Sequence, residues 1–425
     1  MRRRLMANNE EHHDASKSMR LKKLFKESFS KKEIAKNFRL IDKSIVLITT
    51  LLVVIGLISV FSATMYDNPM RAITTQGLSV VIGVIIIGIM VVVPFELFKN
   101  IRLILFMMVI LIVLLIYTLT TQESVWGATS WFVVFGVSFQ PSEFVKVIGI
   151  LVISWLIKYY DREVILTNQK LPSWFNVNNV AIATLVVSCG LIFLQPDLGM
   201  LIILSATLGL IYLLTKGSLK WNIIAYSVLF VGYLLLTIIG RQFGDWLVSK
   251  DFHMFERIAS FIDPFRYSSD SGYQIIQGLM AFSRGGWFGM GLGEGVSKQG
   301  ALPVIESDYI LANIAEELGL IGVLVVVGLL FSLIVIIYQR AAASTELYRK
   351  SVLIGVASLL LVQSVINIGG VVSILPLTGV TLPFISYGGT SMMAMLSAIG
   401  LALRMIIEEG KEPNINLVYS KQKGE

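Results

Sequence analysis

Cysteine, histidine and charge are all scarce in this 425-residue chain. The one cysteine, Cys189, lies inside an apolar run, so no intrachain disulfide or cysteine-rich metal site is possible. Of three histidines, His12 and His13 sit near the N-terminus and only His253 is elsewhere. That argues against a zinc enzyme and against a Ser-His-Asp hydrolase. Acid–base chemistry therefore falls to carboxylates, Lys or Tyr. Charged residues make up 15% of the chain and hydrophobic ones 55%. A soluble domain carries roughly 25% charge, so there are too few charges here to cover a water-facing surface. The ten prolines avoid the centres of the apolar runs (Pro94, Pro141, Pro196, Pro376 and Pro383 lie at their ends or between them). Helices that must satisfy their own backbone in lipid impose that distribution.

What the chain has is long apolar runs. A span needs about 17–25 such residues. They occur near 44–63, 74–93, 101–119, 141–158, 178–194, 198–215, 220–240, 308–338, 351–374 and 385–407. The expected fold is an all-α polytopic membrane protein of about ten transmembrane helices. The first run follows a 43-residue basic segment with no small-residue cleavage pattern beyond it, so it reads as a retained span and not a signal peptide. Residues 1–43 hold the whole +7 net charge and the remainder is neutral, which removes nucleic acid as a partner of the main body. Lys99, Arg102, Lys158, Arg162, Lys170, Lys216, Lys220, Arg340, Arg349 and Lys350 mark one set of short loops. The opposite loops carry almost no Lys or Arg, so both termini are expected to be cytoplasmic. The resulting division is a basic tail (1–43), a membrane body (44–410) and a C-terminal cytoplasmic tail (411–425). Leu21, Leu24, Phe25 and Phe29, interleaved with Lys22, Lys23 and Lys26, suit a short amphipathic helix on anionic lipid. A disordered positive-inside tail fits equally well.

One long outer loop, about 241–307, interrupts this pattern. Its apolar stretch 273–283 is too short to span and reads as a re-entrant or interfacial helix. The glycine run 284–295 lacks a βαβ context and a following Gly-Lys-Ser/Thr, so it reads as tight turns, not a nucleotide loop.

Polar residues at membrane depth need a reason. Glu143 and Lys146, three apart on one helix face, can form a buried ion pair; alternatively, Lys146 faces a water-filled cavity and holds an anionic head group. Asp197, in Gln-Pro-Asp-Leu-Gly (195–199), suits a helix cap. Asp308 stands where the outer loop enters a helix. It is either another cap or a desolvated carboxylate with a raised pKa, suited to act as a general base. Glu316 and Glu317 lie roughly 12–14 Å deeper and can bond backbone or neighbouring helices. The turn 375–391 places the hydroxyls of Ser386, Tyr387, Thr390 and Ser391 at one level.

Together these segments resemble the SEDS family (shape, elongation, division and sporulation), which comprises FtsW, RodA and a sporulation relative. The resemblance covers about 42–410. It rests on Phe-Ser-Ala-Thr (61–64), Phe-Gln-Pro-Ser-Glu (139–143), Gln-Pro-Asp-Leu-Gly (195–199) and Arg-Ile-Ala-Ser-Phe-Ile-Asp-Pro (257–264). It rests also on Ser-Gly-Tyr-Gln (271–274), Arg-Gly-Gly-Trp-Phe-Gly (284–289), Ser-Asp-Tyr-Ile (307–310), Glu-Glu-Leu-Gly (316–319) and Leu-Pro-Phe-Ile-Ser-Tyr-Gly-Gly (382–389). The wording of 272–274 and 284–289 looks more like the division branch, FtsW, than the elongation branch. Ser130 stands before Trp131 where many members have Arg, Met200 replaces a frequent Thr, and Glu306-Ser307 replaces His-Thr. The first departure leaves open which cation meets substrate near Trp131.

The resemblance implies a peptidoglycan glycosyltransferase that polymerises lipid II at the outer face of the bacterial cytoplasmic membrane, during division at the septum. Asp308 matches the family's essential aspartate and is the expected general base. Lys146, Arg257 and Arg284 are candidates to stabilise the departing pyrophosphate. Trp131 matches a functional tryptophan of the family; Glu143, Ser386 and Tyr387 complete the expected substrate-binding set. Pyrophosphate often recruits Mg²⁺ or Mn²⁺, although no dedicated cage is visible. The implied partners are a class B penicillin-binding protein transpeptidase and other divisome proteins. A lipid II flippase, a RodA-type elongation polymerase and a non-catalytic scaffold are the competing readings.

Overall fold

The computed structural model describes residues 27–121, 130–134, 137–166, 177–218, scattered positions between 220 and 242, 253–267 and 271–411. The amphipathic pattern at Leu21–Phe25, most of the run 220–240 and residues 412–425 lie outside them. A short helix, α1 (Lys31–Arg39), precedes the first span. Its N-cap Ser30 accepts from the Glu33 N–H. The long helices follow: α2 (Lys43–Ala63), α3 (Pro69–Val92), the short α4 (Phe95–Lys99), and α5 (Ile101–Thr121). A two-stranded antiparallel hairpin, β1 (Phe132–Val134) and β2 (Val137–Phe139), pairs Phe132 with Phe139. It leads into α6 (Pro141–Leu166), α7 (Val177–Leu194) and α8 (Leu198–Lys216). The expected outer loop, hereafter the outer segment, carries α9 (His253–Ile262), α10 (Ser271–Gly285) and a π-type turn at Ser297–Ala301. The chain closes with α11 (Ile310–Ala343), α12 (Leu347–Val371) and α13 (Gly389–Lys411).

Eight of these helices (α2, α3, α5, α7, α8, α11, α12 and α13) are long and apolar enough to cross a membrane. Helix α6, with 26 residues, is long enough but carries Glu143, Lys146 and Lys158. This is an all-α polytopic membrane protein. Its centre is α12 and α13, whose apolar windows are 72% and 94% buried against 22–39% for the other spans. Around them, Leu47, Val81, Ile85, Phe106 and Val113 point outward and are more than half exposed, as lipid-facing side chains must be. Helix α13 packs along α3, while α12 packs against α11, α8 and α6.

Helix α11 is 34 residues long because it contains a break, Gly319, at φ +69° and ψ −172°. Only glycine takes that conformation without steric cost. The break frees backbone groups that would be costly to leave unpaired in a bilayer, and the glycine run of the outer segment satisfies them. Met290 and Gly291 N–H groups donate to the Glu316 and Glu317 carbonyls (2.9 and 3.0 Å). In return, Leu320 and Ile321 N–H groups donate to the Gly286 and Trp287 carbonyls (2.9 and 3.3 Å).

Candidate active site

The turn between α12 and α13 collects motifs that are far apart in sequence. The Ser386 hydroxyl donates to the Ser307 carbonyl (2.6 Å) and accepts from the Leu382 N–H (2.8 Å). The Tyr387 N–H donates to the Glu306 carbonyl (2.8 Å). From α3, the buried Gln76 amide brackets the same turn, donating to the Ser386 carbonyl and accepting from the Gly388 N–H (3.0 and 3.1 Å). Thr390 ties in the hairpin: its hydroxyl donates to the Ser138 carbonyl (2.7 Å) and accepts from the Gln140 N–H (3.2 Å). The Gln140 side chain donates in turn to Asp197 (2.8 Å), which caps α8 through the Met200 N–H (3.1 Å). Gly199, beside that cap, abuts Thr378 and Val380.

Asp308 lies one residue before the N-cap of α11, held within this network. Asn367 of α12 donates to the Asp308 carbonyl (3.1 Å) and to the Val380 carbonyl (2.7 Å). The exposed Gly379 sits at φ +71°. A Cβ placed there would stand 3.5 Å from Asp308 Oδ2 and 3.8 Å from Arg257 Nη1. The carboxylate of one loop and the guanidinium of α9 thus border the same open point. Burial pushes the Asp308 carboxyl up to about 6, with a smaller upward push from Glu306. A Ser307 hydrogen bond and the Arg257 charge pull against that rise. Desolvation wins, and the group titrates near neutrality. On the flank of the loop a cleft of about 430 Å³ is lined by Tyr66, Asp67, Lys298 and Glu306 among others.

The remaining expected residues are placed differently. Glu143 and Lys146 form a fully buried ion pair (2.9 Å), and the ammonium also donates to Gln363 (2.8 Å). Both ends of Gln363 are used, because its amide nitrogen reaches the Thr381 carbonyl (3.1 Å). Lys146 reaches the turn only through Gln363 and has no exposed surface. Arg284 binds Glu316 (2.5 Å) and Ser297 (2.6 Å). Beside it Lys298 binds Glu317 (2.6 Å) and Ser62 (3.0 Å). Glu316 and Glu317 therefore clamp the outer segment to α11 and α2. Arg257 is the guanidinium that borders Asp308. Trp131 is half-buried at the entry to β1, on the hairpin fixed to Thr390.

Gln76, Gln363, Asn367 and Lys298 were not singled out from sequence. Gln363 and Asn367 carried a signal: two amides four residues apart in an apolar helix mark one polar face.

Fold and site define a polytopic membrane protein with a desolvated carboxylate beside a cation at one end of its helical bundle. Residues 40–411 match the FtsW/RodA/SpoVE family, described as "Cell cycle protein", and the chain belongs to that family. The probable peptidoglycan glycosyltransferase FtsW of Coxiella burnetii is 34% identical over 377 residues, covering 86% of this chain and 96% of that protein. The protein of the same description from Bacillus subtilis is 37% identical over 275 residues, covering 65% and 66%. A chain from a solved peptidoglycan synthase complex, described for its coordination of polymerization and crosslinking, has the same fold. Its TM-score is 0.67 at 22% identity, covering 88% of this chain and 99% of that one.

Proposed function

We propose that this protein is a peptidoglycan glycosyltransferase of the division branch, polymerising lipid II at the outer face of the bacterial cytoplasmic membrane. The observation that carries the reading is the half-buried Asp308 carboxylate, titrating near 6 and bordering Arg257 at Gly379. The names of the relatives support the reaction class.

In this mechanism the Asp308 carboxylate takes the proton from the 4-hydroxyl of the acceptor GlcNAc. The freed oxygen bonds to C1 of the donor sugar as the bond from C1 to the undecaprenyl diphosphate oxygen breaks. Both electrons of that bond leave with the diphosphate, whose growing charge Arg257 stabilises. Trp131, Ser386 and Tyr387 belong to the elements that frame the substrate, while Glu143, Lys146 and Arg284 hold those elements in place. No three His, Cys, Asp or Glu side chains gather to hold a metal among the described residues. A Mg²⁺ or Mn²⁺ ion in this reaction would draw its oxygens chiefly from the diphosphate. A class B penicillin-binding protein is the proposed partner, supported by the shared fold of a chain from a peptidoglycan synthase complex. The division septum, with other divisome proteins, is the proposed location.

The test is polymerisation of lipid II by the purified full chain, with and without its transpeptidase. Polymer from the wild type and none from Asp308→Asn is the expected result. Wild-type rates in the Asn variant would remove Asp308 as base, and no polymer from the wild type in either condition would remove the glycosyltransferase reading.

A further inference from the structure

Asn367 occupies the penultimate turn of α12, is 2% exposed, and uses its amide nitrogen twice. One N–H holds the carbonyl of Asp308 and the other the carbonyl of Val380, next to Gly379. The assignment of the amide is fixed by chemistry, since turning it over would face an oxygen onto two carbonyl oxygens. The Ser386 hydroxyl also joins the two segments, through the Ser307 carbonyl and the Leu382 N–H, but Asn367 is the side chain that holds the Asp308 carbonyl itself. Gln363, one helical turn earlier, holds only the turn, through Thr381. The Asn367 Oδ1 is buried and accepts no hydrogen bond from a protein group among the described residues. A leucine of similar size would remove that atom but leave the Asp308 and Val380 carbonyls without the donors that tie them together, so what the amide supplies here is the link between the two loops.

We infer that Asn367 is a positioning residue, setting the distance between the Asp308 loop and the Gly379 turn so that the carboxylate and Arg257 border one point. The inference rests on the glycosyltransferase reading for its kinetic consequences but not for its structural one. Displacing a reacting group by about 1 Å can cost about 100-fold in rate. Removing the amide frees both loops without touching a group that contacts substrate.

The experiment compares Asn367→Leu, Asn367→Gln and Gln363→Leu with the wild-type full chain in nanodiscs. Lipid II polymerisation is read as kcat and KM across pH, and amide hydrogen exchange is followed over 304–309 and 378–382. Asn367→Leu is expected to lose about 10- to 100-fold in kcat, with KM within about threefold and the acid limb of the pH profile displaced. Exchange should speed up in both segments. Asn367→Gln, which retains the donors, should recover part of the rate. Gln363→Leu should speed exchange at 378–382 only. Unchanged exchange at 304–309 in Asn367→Leu would overturn the inference even if the wild type made no polymer. A rate loss that only follows the folded fraction, with the pH limb in place, would overturn it too.

Discussion

The Lys298 ammonium lies 2.6 Å from the Glu317 carboxylate, with both side chains shut away from water. The Ser62 hydroxyl donates to the same carboxylate (2.7 Å), so the pair joins the outer segment to α2 as well as α11. Removing one member of such a pair strands a charge, a loss of about 3–5 kcal/mol. Lys298→Met should therefore lower the thermal midpoint of the detergent-solubilised protein sharply. The double variant Lys298→Met/Glu317→Gln should recover most of it, because neither charge is then stranded. Equal midpoints for the single and double variants would show that the pair is not coupled.

Asp308 must be ionised to take a proton. Its carboxyl titrates near 6, so the rate should be level above that pH and fall tenfold per unit well below it. Arg257 pulls this value down. Arg257→Met should lower the maximal rate and also shift the acid limb upward, whereas a purely structural Arg257 would leave the limb where it is. Rates measured from pH 4.5 to 8.5 distinguish the two.

Gly379 holds a left-handed backbone at the point that Asp308 and Arg257 border. An alanine there incurs about 1–2 kcal/mol of backbone strain. It also places a methyl group 3.5 Å from Asp308 Oδ2, where a reacting hydroxyl would sit. Gly379→Ala should keep the fold and lose kcat by at least about tenfold. Retained rates would place the reacting atoms elsewhere.

The legible parts of this site are those whose signal is local. Asp308, Asp197 and the Glu143–Lys146 pair stand out because each is a charge against apolar sequence. Asp197 caps its helix as its place predicts, whereas Asp308 stands one residue before the N-cap Tyr309 and is not the cap. The helix in the outer segment, α10, is legible from another local signal, an apolar stretch (273–283) too short to span. Gln76 was not legible, because it acts on the backbone of a turn 310 residues away, and nothing near it in sequence records that partner. The glycine run shows its need for tight turns but not its strand-like pairing with α11, which exists because Gly319 breaks that helix. The apolar run near 385–407 overlaps the turn 375–391 in sequence, and the helix begins at Gly389, because 385–388 is held by Gln76, Glu306 and Ser307 as part of the site.

Residues 27–42 dock on the bundle: Asn37 donates to the Val91 carbonyl (2.9 Å), Lys411 pairs with Glu33 (2.5 Å) and Arg340 with Asp42 (2.6 Å). Deleting residues 1–26 should leave both stability and polymerisation unchanged. Deleting 1–40 uncovers the end of α3 and takes Glu33 from Lys411, leaving it with Glu408, and should cost about 1–2 kcal/mol for the lost buried hydrogen bond and ion pair. The rate per folded molecule should hold in both. A lower rate per folded molecule in the shorter deletion would give the segment a catalytic role.

The raised pKa of Asp308 also has a stability sign. The folded carboxyl keeps its proton up to about 6, whereas the ordinary value is 3.8. Between those values the folded state binds more protons than the unfolded state, so stability falls as pH rises through that window and levels off above it. The full shift corresponds to at most about 3 kcal/mol, and partial solvent contact reduces it to about 1–2 kcal/mol. Asparagine is neutral throughout and avoids that cost. Asp308→Asn should therefore melt a few degrees higher than the wild type at pH 7.5, while the two converge below pH 4. A wild type that is equally stable at pH 7.5 would mean that the Asp308 charge is fully compensated in the fold, which contradicts a carboxylate held ready to accept a proton.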